Sequence, residues 1–297
     1  MGLMDGKVAI VTGAGRGIGR GEAILLAQEG ARVVVNELDA AAGQAVVDEI
    51  VANGGEAALN TGDCSEIDGA EALVRQAIDT FGGLDALVNN AGILRDRTLV
   101  KMTPEEWDAV IKVHLRGHYA PTHFATAWWK ENGRPGHVVC TASTSGLLGN
   151  FGQINYGTAK AGIAAFAAIA AQELWRYNVT VNAIAPAART RMTEGAYGAI
   201  EASDEFDFWH PDNVAPMVVY LCSDASSHIS GKTFGVQGNV IELYQPWTSF
   251  GEIVNDGGRW EPSALAERVD SLFEGFPIAK EATNGMARLR YSMTQRG

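Results

Sequence analysis

Tyr156-Gly157-Thr158-Ala159-Lys160 sets a phenol and an ammonium four residues apart, so on a helix both project from one face. A phenol ionises near pH 10 and is a poor base in neutral water, but an adjacent cation lowers that value. The pair therefore suits moving a proton to or from an oxygen atom. Ser143 stands thirteen residues earlier, directly after the apolar run Val138 to Ala142. If that run is a strand of an open α/β sheet, Ser143 lies beyond its carboxyl end, where such sheets bind ligands. Asn89-Asn90-Ala91-Gly92 closes the preceding strand-like run and would reach the same edge.

A second chemistry is carried by Thr12-Gly13-Ala14-Gly15-Arg16-Gly17-Ile18-Gly19, between a strand-like and a helix-like segment. Glycine there lets backbone N–H groups and a helix N-terminus approach a pyrophosphate, whose charge the helix dipole favours. The spacing is T-G-x-x-x-G-x-G; the strict G-x-G-x-x-G form fails, because Ile18 or Arg20 takes the third place. Glu37 ends the next strand-like run. An acid there accepts hydrogen bonds from the ribose hydroxyls and repels a 2′-phosphate, which argues for NAD. Arg16 argues the other way, since a cation inside the turn could pair with a 2′-phosphate. NADP therefore stays open.

The elements that must position these groups alternate along the chain. Val8 to Val11, Val33 to Val35, Ala57 to Leu59, Ala86 to Val88, Val138 to Cys140 and Val179 to Val181 are short apolar runs suited to a sheet buried on both faces. Helical periodicity fills Gly17 to Glu29, Ala40 to Ala52, Glu66 to Phe81, Pro104 to Lys130 and Gly157 to Trp175. Thr103-Pro104-Glu105-Glu106 is a helix start with an N-cap, a proline at the first position and a capping-box acid. A further helix at Pro211 to Cys222 and a strand near Thr233 to Val236 follow. Six β-then-α units predict an α/β fold: a Rossmann-type doubly wound parallel sheet in a single domain, residues 1–240. From residue 241 to 297 the chain changes character, with Trp247, Phe250, Trp260, Phe273 and Phe276 among Gly and Pro and one helix candidate at Pro262 to Glu274. This C-terminal extension could cover a cleft, clasp another subunit or pack on its own surface.

Composition narrows the partners. The formal charge of −12 repels polyanions, so nucleic acid is not expected as a ligand. Three distant cysteines, Cys64, Cys140 and Cys222, form no C-x-x-C, so neither a disulfide framework nor a zinc site is readable. His114 and His118 have metal-ligand spacing but no apparent third ligand, and no metal is expected. A reducing, cytoplasmic setting fits, since no leader is readable at the N-terminus. The apolar run Ala161 to Ala171 is too short for a membrane span.

Together these motifs resemble the short-chain dehydrogenase/reductase family, over about residues 7–240. The likeness rests on Thr12-Gly13 to Gly17-Ile18-Gly19, Asp63, Asn89-Asn90-Ala91-Gly92, Ser143, Tyr156 with Lys160, and Asn182 to Pro186. It implies Tyr156 as general acid/base, Ser143 as the group that orients the substrate oxygen, and Lys160 as the cation beside Tyr156 and the nicotinamide ribose. It further implies Gly13, Arg16, Gly17, Ile18 and Gly19 around the pyrophosphate and adjoining ribose, Glu37 at the adenosine ribose, Asp63 and Cys64 at the adenine. Asn90, Ala91 and Gly92 would lie along the cofactor's middle, with Pro186 in a further cofactor-side loop. His114 stands where the family commonly has an Asn that completes a proton relay. It is expected either to bridge a water and Lys160, bringing a titration near pH 6.5 into the rate profile, or only to satisfy local backbone groups. Ala187 and Arg191 also depart from the family pattern.

A narrower likeness, in Asn89 to Arg97, Val113 to Gly117, Gly149 to Tyr156, and Ala185-Pro186 with Arg191-Met192-Thr193, is to the dehydrogenase unit of peroxisomal multifunctional enzyme type 2. It implies an NAD-dependent oxidoreductase acting on a small-molecule or acyl-thioester alcohol, of the (3R)-hydroxyacyl-CoA or hydroxysteroid type. The ending Gln295-Arg296-Gly297 is not a peroxisomal tripeptide, which fits the cytoplasmic expectation. Alternatives are an NADPH-dependent 3-oxoacyl-carrier-protein reductase and, from another class, an inactive nucleotide-binding sensor or scaffold. A homodimer or homotetramer is implied by analogy, with the Ala161 to Ala171 face either at a subunit contact or packed internally.

Overall fold

The strands are β1 (Val8–Thr12), β2 (Arg32–Asn36), β3 (Glu56–Asn60), β4 (Ala86–Asn89), β5 (Gly136–Thr141), β6 (Val179–Pro186), β7 (Thr233–Gln237) and β8 (Val240–Tyr244). In the computed structural model, which describes residues 2–190 and 206–274, they form one sheet in the order β3-β2-β1-β4-β5-β6-β7-β8. All neighbours pair in parallel except β7 and β8. The helices are α1 (Gly17–Gln28), α2 (Ala40–Ala52), α3 (Ile67–Phe81), α4 (Pro104–Ile111), α5 (Gly117–Asn132), α6 (Thr144–Leu148), α7 (Ile154–Leu174), α8 (Ala215–Cys222) and α9 (Pro262–Arg268). This is the Rossmann-type doubly wound α/β fold that the alternating runs predict.

The period-2 geometry of the strands divides each apolar run between two cores. Ala9, Val11, Val33, Val35, Val88 and Val139 pack with Leu26 of α1, Ile50 of α2 and Leu221 of α8 on one face. Val8, Ile10, Val34, Leu87, Val138 and Val181 pack with Leu73 of α3, Trp129 of α5 and Ile163 of α7 on the other. β1 lies between β2 and β4, so the chain winds away from it in both directions. The crevice at the carboxyl ends of β1 and β4 is the switch point at which such sheets take ligands.

Three details differ from the sequence expectation. The long helix expected over Pro104 to Lys130 is interrupted by a π turn, Lys112–Arg116, between α4 and α5. Pro121, inside α5, has no N–H for the Gly117 carbonyl, so the first turn after the π segment also lacks one rung of its ladder. The short helix α6 had no readable signal. The antiparallel edge strand β8 follows β7 through Gly238-Asn239, a two-residue hairpin turn in which Gly238 has φ +50°. Arg191, Met192, Thr193, Phe276 and the terminal Gln295-Arg296-Gly297 lie outside the described residues. No helix among the described residues is long and apolar enough to cross a membrane.

One buried group sits badly in this core. Glu22 of α1 has no exposed surface, and neither carboxylate oxygen has a hydrogen-bond partner among the described residues. Burial pushes its carboxyl up to about 8, because the charged form has lost water without gaining a partner.

Candidate active site

Thr12, the last residue of β1, ties the glycine turn to the end of β4. Its Oγ1 accepts the N–H groups of Asn90 at 3.0 Å and Ala91 at 3.1 Å. The Asn90 side chain returns the bond, donating to the carbonyls of Thr12 (2.9 Å) and Gly13 (3.1 Å). Glycine is required where the two segments meet. Gly13 has φ +63°, and a Cβ there would stand 2.8 Å from the Ala91 Cα; one on Gly19 would stand 2.4 Å from Asn90 Nδ2 and 2.5 Å from the Gly13 carbonyl oxygen. α1 then begins at Gly17 with no side-chain cap on its first amides, leaving donors and a positive helix end for an anion.

The clamp leaves a cleft of about 530 Å³. Gly13, Arg16, Gly17, Ile18, Gly19, Glu37, Asp63, Cys64, Asn90, Ala91 and Gly92 line it, together with Asn36, Leu38, Gly62, Ser65, Ile93, Val113 and Thr190, which the sequence did not single out. Pro186 ends β6 opposite Val236 and is not part of this lining. The open backbone cradle, uncapped helix start and acid at the far end suit a dinucleotide. A methyl on Gly19 would spread the clamp, so Gly19→Ala is expected to weaken dinucleotide affinity by roughly tenfold or more, in line with an overpacking cost of about 1–3 kcal/mol; calorimetric titration checks it.

Glu37 is held as an acceptor. Its Oε2 takes the Gly15 N–H at 3.0 Å and its Oε1 the Asp39 N–H at 3.1 Å. A Cβ on Gly15 would press on this carboxylate at 2.6–2.9 Å. Arg16 turns to Asp39, with an N–O distance of 2.5 Å, and the guanidinium holds the Asp39 carboxyl below the usual carboxylate range. Across the cleft, burial acts to raise Asp63, but the Ser65 hydroxyl and amide and the Lys112 ammonium outweigh it and bring its carboxyl down. Burial pushes the Cys64 thiol up to about 12, so it is an un-ionised wall of the cleft.

Tyr156 and Lys160 both stand on α7, as their spacing requires. The Lys160 Nζ lies 5.5 Å from the Tyr156 ring centroid and donates to the Thr141 carbonyl at 2.5 Å. Lys160 is buried, and desolvation draws its ammonium down to about 7. Ser143 follows β5 and caps α6, its Oγ accepting the Ser145 N–H at 3.2 Å. α6 lies directly on α7: a Cβ on Gly146 would meet the Ala161 nitrogen at 2.4 Å, and one on Gly157 the Ser145 carbonyl at 3.1 Å. This contact brings Ser143 to the end of α7 that carries Tyr156. Asn155, which the sequence did not flag, anchors that end. Its buried amide donates to the carbonyls of Arg95 (2.9 Å) and Glu106 (3.2 Å), while its oxygen accepts the Tyr156 N–H at 2.7 Å.

His114 sits in the π turn with its ring edge-on to Tyr156, centroids 5.3 Å apart. Its Nε2 is 2.8 Å from the Ile93 carbonyl oxygen and 3.1 Å from the Ile93 nitrogen. The buried Nδ1 has no partner among the described residues. The expectation that His114 titrates near pH 6.5 is corrected here: burial, with the Lys160 charge, holds it down at about 3, so the imidazole stays neutral at working pH. Gly92 is glycine because this ring is there; a Cβ would fall 2.5 Å from His114 Cε1.

Comparison with known proteins agrees with this geometry. Residues 7–198 match the family model for short chain dehydrogenase. The chain is 43% identical to the hydroxyacyl-CoA dehydrogenase ChsB1 of Mycobacterium tuberculosis, over 92% of this chain and 90% of that one. It is 46% identical to peroxisomal multifunctional enzyme type 2 of Drosophila melanogaster over 82% of this chain, a stretch that makes up 40% of the longer enzyme. The crystal structure of a short chain dehydrogenase from Mycobacterium avium superposes with a TM-score of 0.86 at 45% identity, covering 94% of this chain and 98% of that one. The chain belongs to the short chain dehydrogenase family, oxidoreductases that work with a nicotinamide dinucleotide, NAD or NADP.

Proposed function

We propose that the protein is an NAD(H)-dependent dehydrogenase that interconverts a secondary alcohol and a ketone, on a 3-hydroxyacyl-CoA or hydroxysteroid-type substrate. Glu37 carries the NAD assignment: its carboxylate is fixed by Gly15 at the end of β2, where it would accept the adenosine ribose hydroxyls and repel a 2′-phosphate. Arg16, the one residue that argued for NADP, already faces Asp39. The substrate class is supported by the likeness to ChsB1 and to the multifunctional enzyme.

In this reading Ser143 Oγ–H donates to the substrate oxygen and holds it beside Tyr156. The Tyr156 phenolate takes the alcohol proton during oxidation and the phenol returns it during reduction. Lys160, drawn down to about 7 by burial, gains a reason to stay protonated when Tyr156 loses its proton, so the two titrate as a coupled pair. When bound, the nicotinamide supplies the carbon that exchanges hydride with the carbinol carbon.

The test is a substrate panel of hydroxyacyl-CoA, hydroxyacyl-carrier-protein and hydroxysteroid compounds run with both nicotinamide cofactors. Turnover with NAD on CoA thioesters or steroids is expected, and Glu37→Ala should narrow the preference for NAD by about tenfold, the loss of one charge-assisted hydrogen-bonding group. A strong NADPH preference with activity confined to carrier-protein thioesters would replace this reading. No turnover across the panel would remove it.

A further inference from the structure

β4 stops one residue too early for β5. The parallel register pairs Asn89 with Cys140 and ends there, because the chain turns away at Asn90 to clamp the glycine turn. Within a strand, the N–H and C=O of one residue point to the same side. The Ala142 N–H goes to Ile184 of β6 at 2.7 Å, so Thr141 presents its N–H and carbonyl to the opposite side, the gap that β4 leaves. Two side chains fill it. His118 Nε2 accepts the Thr141 N–H at 3.2 Å, and Lys160 Nζ donates to the Thr141 carbonyl.

We propose that His118 is a positioning residue for Lys160, holding the Thr141 backbone on which the Lys160 ammonium rests. The proposal rests on the reading of Tyr156 and Lys160 as the reacting pair. His118 is fully enclosed, 1% exposed, at the second residue of α5. A backbone N–H can only donate, so Nε2 must carry no proton and Nδ1 must carry it. Burial holds the imidazole well below its ordinary value, so the ring is neutral. One imidazole on α5 thereby completes the end of β5. His118 lies one helical turn beyond His114, and the two rings reach the pair by different routes: His114 touches the Tyr156 ring, and His118 acts through Thr141 on Lys160. An apolar side chain at position 118 would leave the Thr141 N–H an enclosed donor without an acceptor; the Cys140–Thr141 peptide would rotate toward another partner, and the adjoining Thr141 carbonyl would shift with the Thr141 Cα on which both hang.

The experiment compares His118→Phe, which keeps a flat aromatic ring, somewhat larger, and loses the acceptor, with His118→Gln, whose Oε1 can take the place of Nε2. His118→Phe is expected to lower kcat ten- to a hundredfold with the substrate KM within about threefold, and to displace the acidic limb of the kcat–pH profile; His118→Gln should restore most of both. In a Lys160→Met background, His118→Phe should cost nothing further. Unchanged kcat and profile in His118→Phe, or losses that multiply in the double variant, would overturn the positioning role while leaving Tyr156 and Lys160 in theirs. If Tyr156→Phe and Lys160→Met themselves retain turnover, the functional reading fails and the positioning role fails with it. Independently of turnover and of any variant's folding, 15N-histidine NMR of the cofactor-free wild-type chain should show His118 neutral, with Nε2 unprotonated; a protonated Nε2 would exclude the bond.

Discussion

Tyr156→Phe is expected to lower kcat by about 10²–10⁴-fold, the range over which a positioned acid/base contributes, while the chain stays folded at the assay temperature. Phenylalanine keeps the ring that meets His114 edge-on and leaves the Asn155 bond to the residue-156 N–H untouched. Only the hydroxyl is lost. The largest effect therefore falls on the chemical step, and single-turnover kinetics with bound substrate is the measurement that isolates it. Lys160→Met should produce a comparable loss but differ in its thermodynamic trace. Lys160 is desolvated and drawn down to about 7, so between about pH 7 and its ordinary value the folded chain binds fewer protons than the unfolded one. Its contribution to stability therefore rises with pH across that window and is least favourable below it. Methionine removes this dependence. A Tyr156→Phe variant that turns over within tenfold of wild type would take Tyr156 out of the acid/base role.

Glu22→Gln should stabilise the protein by about 3 kcal/mol at pH 7 and by almost nothing at pH 4.5. The unfolded carboxyl releases its proton near 4.5, whereas the folded one keeps it up to about 8. Between those values the native state binds more protons than the unfolded state, so wild-type stability falls as pH rises through the window and levels off above pH 8. Glutamine has the shape of the protonated acid and no charge to bury. Urea denaturation of both chains at intervals from pH 4.5 to 8.5 should give curves that meet at the acid end and diverge toward the basic end. Parallel curves would mean that the carboxyl is solvated or paired in solution. Nothing in the proposed chemistry uses Glu22, so turnover should be unaffected.

These two expectations differ in how far the sequence foretells them. Tyr156 and Lys160 announce themselves by a spacing of four residues, which one helix converts into a shared face. Gly13 and Gly19 announce a backbone that must approach something closely, and the structure gives the reason in the contacts a Cβ would make with Ala91 and Asn90, while Gly17 is called for by its φ of +56°. Glu22, in contrast, reads as one more acid on an amphipathic helix. Its burial against the face that holds α8 depends on how two helices far apart in the chain meet over the sheet.

The amino-acid sequence by itself determined what is local or periodic: the alternation of apolar runs and helical patterns that makes a doubly wound sheet, the capping box at Thr103, the glycine turn, the acid at the end of β2 and the helical Tyr–Lys pair. Each is set by residue types within a few positions of one another, so spacing suffices to read it. Only the tertiary structure decided that His114 is neutral, that Asn155 anchors the start of α7, and that His118 completes the ladder where β4 stops. Those properties come from desolvation and from hydrogen bonds between segments tens of residues apart, and no pattern along the chain records which donor will find which acceptor once the sheet has closed.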